Sequence, residues 1–129
     1  MTALALTNDS FEDTIDKNAI VLIDFWAPWC GPCRNFAPVF EAAAARHSDA
    51  VFAKVNTDEQ QQLAQAFEIQ SIPTLAIFRE KICVFAQPGA LPAAALEEII
   101  QRVKALDMDD VRRRIAEREA NGAEDAPES

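Results

Sequence analysis

The sequence predicts an α/β fold in which a central mixed sheet of four to five strands is flanked by helices, with an extra helix at the C-terminal end. Two patterns carry this. Short β-branched and aromatic runs alternate with stretches whose apolar residues recur every three or four positions, which implies parallel strands joined by right-handed helical crossovers. The last two strand-like runs are separated only by a short charged loop, which adds an antiparallel edge. Size agrees: 129 residues, 50% of them apolar, suffice for one domain with a core of its own.

Taken in order, Asn8-Asp9-Ser10 can cap a helix of about ten residues that turns Phe11 and Ile15 inward. Ala19 to Trp26, AIVLIDFW, is apolar except for Asp24 and reads as a central strand covered on both faces. In the next segment Cys33, Phe36, Ala37, Phe40 and Ala44 share one helical face, and Pro38 should bend that helix. Ala50 to Val55 is a second strand, and Thr57-Asp58 is placed to cap a helix over 59–67. Thr74 to Phe78 and Ile82 to Ala86 form a hairpin around Glu80-Lys81. Gly89 ends the sheet region, and Pro92 opens a helix with Leu96, Ile99, Ile100, Val103 and Leu106 on one face. Asp107 can cap a further helix over about 108–119 with a narrow Met108/Val111/Ile115 stripe, after which the chain reads as disordered. The expected division is a domain over 1–106 and an acidic extension over 107–129.

Net charge is −9, with −4 contributed by the residues from Asp107 onward, so nucleic acid is not an expected partner. No apolar run approaches the ~20 residues of a membrane span. The first residues lack the basic and apolar blocks of a secretory signal, which points to a reducing cytoplasm. In that compartment paired cysteines are redox-active or metal-binding more often than structural.

The stretch FWAPWCGPCRNFAP, residues 25–38, decides between those two. A structural zinc site wants four ligands, usually from two knuckles. Beyond Cys30 and Cys33 the chain offers only Cys83 and His47, on separate elements, so no metal site is expected. His47 reads as a solvated cation near a helix end, and Cys83 as a buried strand residue, with a regulatory or dimer-forming thiol as its alternative. Redox chemistry fits better. Cys30 falls where a strand ends and a helix begins, and there unpaired amides and the helix dipole favour a thiolate. Moving a thiol from ~8.5 toward ~7 needs about 2 kcal/mol of such preference. Pro32 suits a first helical turn, Gly31 lets a substrate backbone approach closely, and Cys33 lies one turn further on, close enough to bond Cys30 and more protected from solvent. Cys30 would attack and Cys33 resolve. Asp24, alone in an apolar strand, is either an edge residue whose side chain reaches water or a buried carboxyl of raised pKa.

WCGPC preceded by FWA, Asp24 two residues before Trp26, Pro38 five after Cys33, and Ile72-Pro73-Thr74 before a strand together resemble the thioredoxin family. The likeness spans roughly residues 4–106. It implies the thioredoxin fold and a thiol–disulfide oxidoreductase, a protein-disulfide reductase serving electron transport and cell redox homeostasis. It implies that Asp24 takes the proton from Cys33, and that Lys54, otherwise an ordinary strand lysine, lies near that carboxyl. Pro73 is expected in cis, facing the disulfide, with Trp29, Gly31, Pro32, Ile72, Gly89 and Ala90 forming a shallow client-contact surface. Ser71 departs from the glycine often found at its position in similar proteins, a change that would trim substrate range.

The uncharged Gly31-Pro32 pair implies a reductant, with a potential below about −240 mV on a scale where thioredoxin lies near −270 mV. No bound cofactor is expected beyond the redox-active disulfide Cys30–Cys33. The implied partners are disulfide-containing client proteins and a thioredoxin reductase that uses NADPH and FAD. The chain is expected to be a monomer, with association through the tail helix as the alternative. A binding or co-chaperone module, with the tail helix docking a partner, is the rival function.

Overall fold

The computed structural model describes residues 3–121. Ten elements follow one another: β1 (Leu4–Ala5), α1 (Phe11–Lys17), β2 (Ile20–Trp26), α2 (Gly31–Arg46), β3 (Val51–Asn56), α3 (Gln61–Ala66), β4 (Thr74–Arg79), β5 (Ile82–Pro88), α4 (Ala93–Lys104) and α5 (Met108–Ala120). The strands form one sheet in the order β1-β3-β2-β4-β5, parallel from β1 through β3 to β2 and antiparallel from β2 through β4 to β5. This is the expected mixed sheet with its antiparallel edge. The disordered tail expected after Asn121 lies outside the described residues.

The pleat of β2 sorts its side chains between two cores. Ile20 and Leu22 face α2 and α4, packing with Phe36, Phe40, Leu96 and Ile100; Val21, Ile23 and Phe25 face α1 and α3, packing with Ile15 and Leu63. Every residue of β2 except Trp26 is buried, as expected of a strand covered on both faces.

Local chemistry differs from expectation at several element ends. β1, too short to read in the sequence, owes its pairing to β3, where Leu4 lies opposite Ala53 and Ala5 opposite Lys54. α1 is shorter than expected, and the Ser10 side chain makes no cap on it; its hydroxyl receives the Thr7 amide instead. α3 starts at Gln61 without a cap from Thr57 or Asp58. Its Leu63 amide is received by the Asn8 carboxamide oxygen at 3.1 Å, a cap supplied from 55 residues away. Pro92 stands just before α4, as its N-cap residue.

Other features follow the sequence. Pro38 sits inside α2. Glu80 (φ +51°) and Lys81 (φ +72°) are both left-handed, a two-residue hairpin turn made without glycine. Asp107 caps α5 by accepting the Asp110 amide at 3.2 Å. Arg79 holds the α4–α5 corner, its Nη1 donating to the carbonyls of Val103 (2.6 Å), Leu106 (3.1 Å) and Lys104 (3.2 Å). Met108 is buried, and Arg112 pairs with Glu80, so α5 is anchored by its first turns.

Two residues correct the sequence reading. His47 is 6% exposed, not solvated. The Lys104 ammonium can only donate, so His47 Nδ1 accepts from it at 2.8 Å while Nε2 donates to Glu97 at 2.9 Å. That hydrogen bond is the main cause holding the Glu97 carboxyl down to about 2. Cys83, expected to be buried, is exposed on β5, because β5 is the edge of the sheet and a β-bulge at Ile77/Phe78 resets its register.

Candidate active site

The turn from β2 into α2 builds the site. After Trp26 the chain makes a tight turn in which the Cys30 amide donates to the Ala27 carbonyl at 3.2 Å. Cys30 then stands as the N-cap of α2, with extended backbone (φ −87°, ψ 115°), and its Sγ accepts the Cys33 amide at 3.1 Å. A sulfur thus occupies the place that a hydroxyl or carboxylate oxygen takes in an ordinary cap. The same amides that cap the helix are aimed at whatever charge that sulfur carries. Pro32 lies in the first turn, where its missing amide would have had no helical partner anyway.

Cys30 and Cys33 are joined as a disulfide, their Cα atoms 5.3 Å apart. Their exposures, 4% and 3%, are almost equal, so the greater protection expected for Cys33 is not visible in this oxidised state. The two sulfurs differ in their surroundings instead. Cys30 Sγ accepts the Cys33 amide and faces the Ile72 carbonyl oxygen at 3.7 Å, while both cysteines share one apolar cluster with Ala27, Trp26 and Ile72. Gly31 has room to spare, since a Cβ there would meet nothing nearer than Arg34 Nη2 at 3.9 Å.

Opposite the disulfide, the Ile72–Pro73 peptide is cis. The Pro73 carbonyl accepts the Gly89 amide at 2.8 Å, which draws the loops before β4 and after β5 together. Gly89 has φ +110°, a conformation that favours glycine. Trp29 is 68% exposed, and its indole N–H donates to Asp58 Oδ2 at 3.1 Å. Trp29, Pro32, Gly89 and Ala90 are exposed, Gly31 and Ile72 half-buried, and Pro73 buried.

Beneath this surface, Asp24 follows Leu22 on the α2 side of β2. It is fully buried, and neither carboxylate oxygen has a hydrogen-bond partner among the described residues. Burial raises its pKa to about 7, against a lowering by Lys54 and with a further push from Glu41. Lys54 lies opposite Asp24 in the β2–β3 register, its Nζ 4.8 Å from the centre of the Trp26 ring. The edge reading of Asp24 is therefore excluded.

Two contributors escape the sequence reading. Asp58, expected as a helix cap, orients Trp29 instead. Glu41, half-buried on α2, accepts the Ala3 amide at 3.0 Å and loads negative charge near Asp24. Its position on the sheet-facing side of α2, two turns past Cys33, was the available signal.

The family model described as Thioredoxin matches residues 2–102. Putative thioredoxin 2 of Streptomyces coelicolor is 56% identical over 119 residues, covering 92% of this chain and 89% of that protein. Thioredoxin 1 of Synechococcus elongatus is 44% identical over 102 residues, covering 78% and 95%. Among solved structures, a mutant thioredoxin from Halobacterium salinarum NRC-1 matches with a TM-score of 0.75 at 35% identity, covering 81% of this chain and 93% of that one.

Proposed function

This chain belongs to the thioredoxin family, and from that premise we propose that its protein-disulfide reductase activity runs through Cys30 as nucleophile, Cys33 as resolving thiol and Asp24 as proton acceptor. The chain is a thiol–disulfide oxidoreductase; the binding-module alternative is not favoured. The observation that carries the residue roles is the capping geometry, with Cys30 Sγ accepting the Cys33 amide at the head of α2.

In the first step the Cys30 thiolate attacks one sulfur of a client disulfide. The client S–S bond breaks, a mixed disulfide forms, and the other client sulfur leaves as a thiolate that takes a proton from water. In the second, Cys33 gives its proton to the Asp24 carboxylate and attacks Cys30 Sγ. The mixed disulfide breaks, the Cys30–Cys33 bond forms, and the second client sulfur departs as a thiolate that takes a proton from water while Asp24 releases its own. Two electrons and two protons pass to the client. Lys54 tunes Asp24 by its charge. Gly31, Pro32 and Pro73 shape the contact surface, and Trp29, Ile72, Gly89 and Ala90 touch the client, whose extended backbone pairs with Ile72.

Recharging returns two electrons from a thioredoxin reductase carrying FAD and NADPH, so this chain works without a bound cofactor of its own. Its setting is a reducing cytoplasm. It acts as a monomer, with residues 1–106 as the catalytic domain and 107–129 as an extension. Insulin reduction driven by dithiothreitol tests the mechanism: wild type should accelerate it strongly and Cys30→Ser not at all. Equal rates for the two would refute catalysis through Cys30.

A further inference from the structure

Beside the contact surface lies an open cavity of about 260 Å³, between the segment before the cis peptide and the end of β5. Its polar lining comes from Glu68, Gln70, Ser71, Thr74 and Gln87, and neither lysine nor arginine borders it. The Thr74 hydroxyl is already committed to the Ser71 carbonyl at 2.6 Å. Among the described residues the side chains of Glu68, Gln70 and Gln87 make no hydrogen bond or ion pair, so the cavity presents one carboxylate and two amides without protein partners. Ile72, whose carbonyl oxygen faces Cys30 Sγ, links it to the reacting sulfurs: Gln70, two residues earlier in the chain and therefore at most ~7 Å from Ile72 along the backbone, borders the cavity.

The backbone adds a second observation. α3 ends in a Schellman motif, the Glu68 amide donating to the Gln65 carbonyl and the Ile69 amide to the Ala64 carbonyl. That motif puts Glu68 at φ +53°, where glycine is the residue of lowest cost. The chain carries a long carboxylate there instead, turned onto the cavity rim.

We propose that this cavity is a client subsite in which Glu68, with Gln70 and Gln87, receives an arginine or lysine side chain two residues from the client cysteine. The proposal rests on the disulfide-exchange reading and adds to it a selection among clients. The overall negative charge of the chain draws basic segments toward the surface, and Glu68 then selects by position.

The test uses short disulfide-bonded peptides with arginine or alanine two residues before or after the reactive cysteine, reduced by the full chain under single-turnover conditions. Wild type should reduce the arginine peptide of one offset about three- to fivefold faster than its alanine counterpart, the upper part of the range of an exposed ion pair, with the ratio shrinking at high salt. Glu68→Gln and Glu68→Gly should each bring the ratio to about one, while Glu98→Gln, on an exposed face of α4, retains it. Melting temperatures unchanged in the Gln variant and unchanged or raised in the Gly variant exclude unfolding as the cause. A wild-type ratio of one, or a ratio that survives Glu68→Gln, overturns the subsite while reduction of the alanine peptide still upholds the exchange chemistry. Reduction of neither peptide refutes that chemistry, and the subsite with it.

Discussion

Asp24 and Lys54 stand directly opposite each other across the parallel β2–β3 pair, yet the ammonium makes no hydrogen bond to the carboxylate and lies instead over the Trp26 ring. A closed ion pair would have held Asp24 ionised at every working pH. With the pair open, burial outweighs the lysine, and the carboxyl titrates near 7. A group that must accept a proton and then release it is best placed near the ambient pH.

The same burial weakens the fold at alkaline pH. Between 3.8 and about 7 the folded chain keeps a proton on Asp24 that the unfolded chain has lost, so raising the pH favours unfolding. The full cost above pH 7 is about 4 kcal/mol. Asp24→Asn removes it but leaves a buried amide unpaired, at roughly 1–3 kcal/mol. Denaturant unfolding of the oxidised protein at pH 8 should therefore show the variant more stable by roughly 1–3 kcal/mol. Near pH 3.5, where the wild-type carboxyl stays protonated on unfolding, that cost is gone and the order should reverse, the unpaired amide leaving the variant less stable by roughly 1–3 kcal/mol. A variant no more stable than wild type at pH 8 would contradict the uncompensated burial of this carboxyl.

Resolution of the mixed disulfide should follow the ionisation of Asp24. Release of client from a mixed disulfide on Cys30, followed by stopped flow, should rise with pH through about 7 in wild type. In Asp24→Asn it should be slower at pH 7 and lose that inflection, by about 10²-fold if proton transfer is lost. The attack of Cys30 on the client should keep its own pH profile.

Gly31 separates folding from function. A Cβ at this position meets only ordinary van der Waals contact, and alanine favours helix by up to ~1 kcal/mol over glycine. Gly31→Ala should leave thermal stability equal or slightly raised. Insulin reduction should nonetheless slow several-fold, because the added methyl would stand where the proposed contact with the client backbone lies. Full activity together with raised stability would remove Gly31 from the contact surface.

Cys83 should count as one reactive thiol per oxidised chain. Although the residue is exposed, its thiol is directed at the Phe85 carbonyl oxygen at 3.6 Å, and burial around the sulfur pushes its pKa up. Titration with an aromatic disulfide reagent should modify Cys83 completely but more slowly than free cysteine at pH 7. Cys83→Ser should leave no thiol in the oxidised protein.

Local sequence by itself determined most of the elements and the pairing of Cys30 with Cys33. The CGPC turn, the apolar run of β2, the Asp107 cap and the helical face of α4 depend on neighbours within a few residues, and such short-range preferences are written in order along the chain. Tertiary structure decided what depends on distant partners. β1 exists only because β3 lies beside it, α3 takes its cap from Asn8, and His47 is buried because α4 brings Glu97 and Lys104 to it. Cys83 is exposed on β5, the edge strand, where a bulge resets the register beside it. For Asp24 the sequence showed a carboxyl among apolar neighbours, but only packing could decide whether it reached water. It does not, and its isolation beside an open lysine sets the proton affinity on which the proposed chemistry turns.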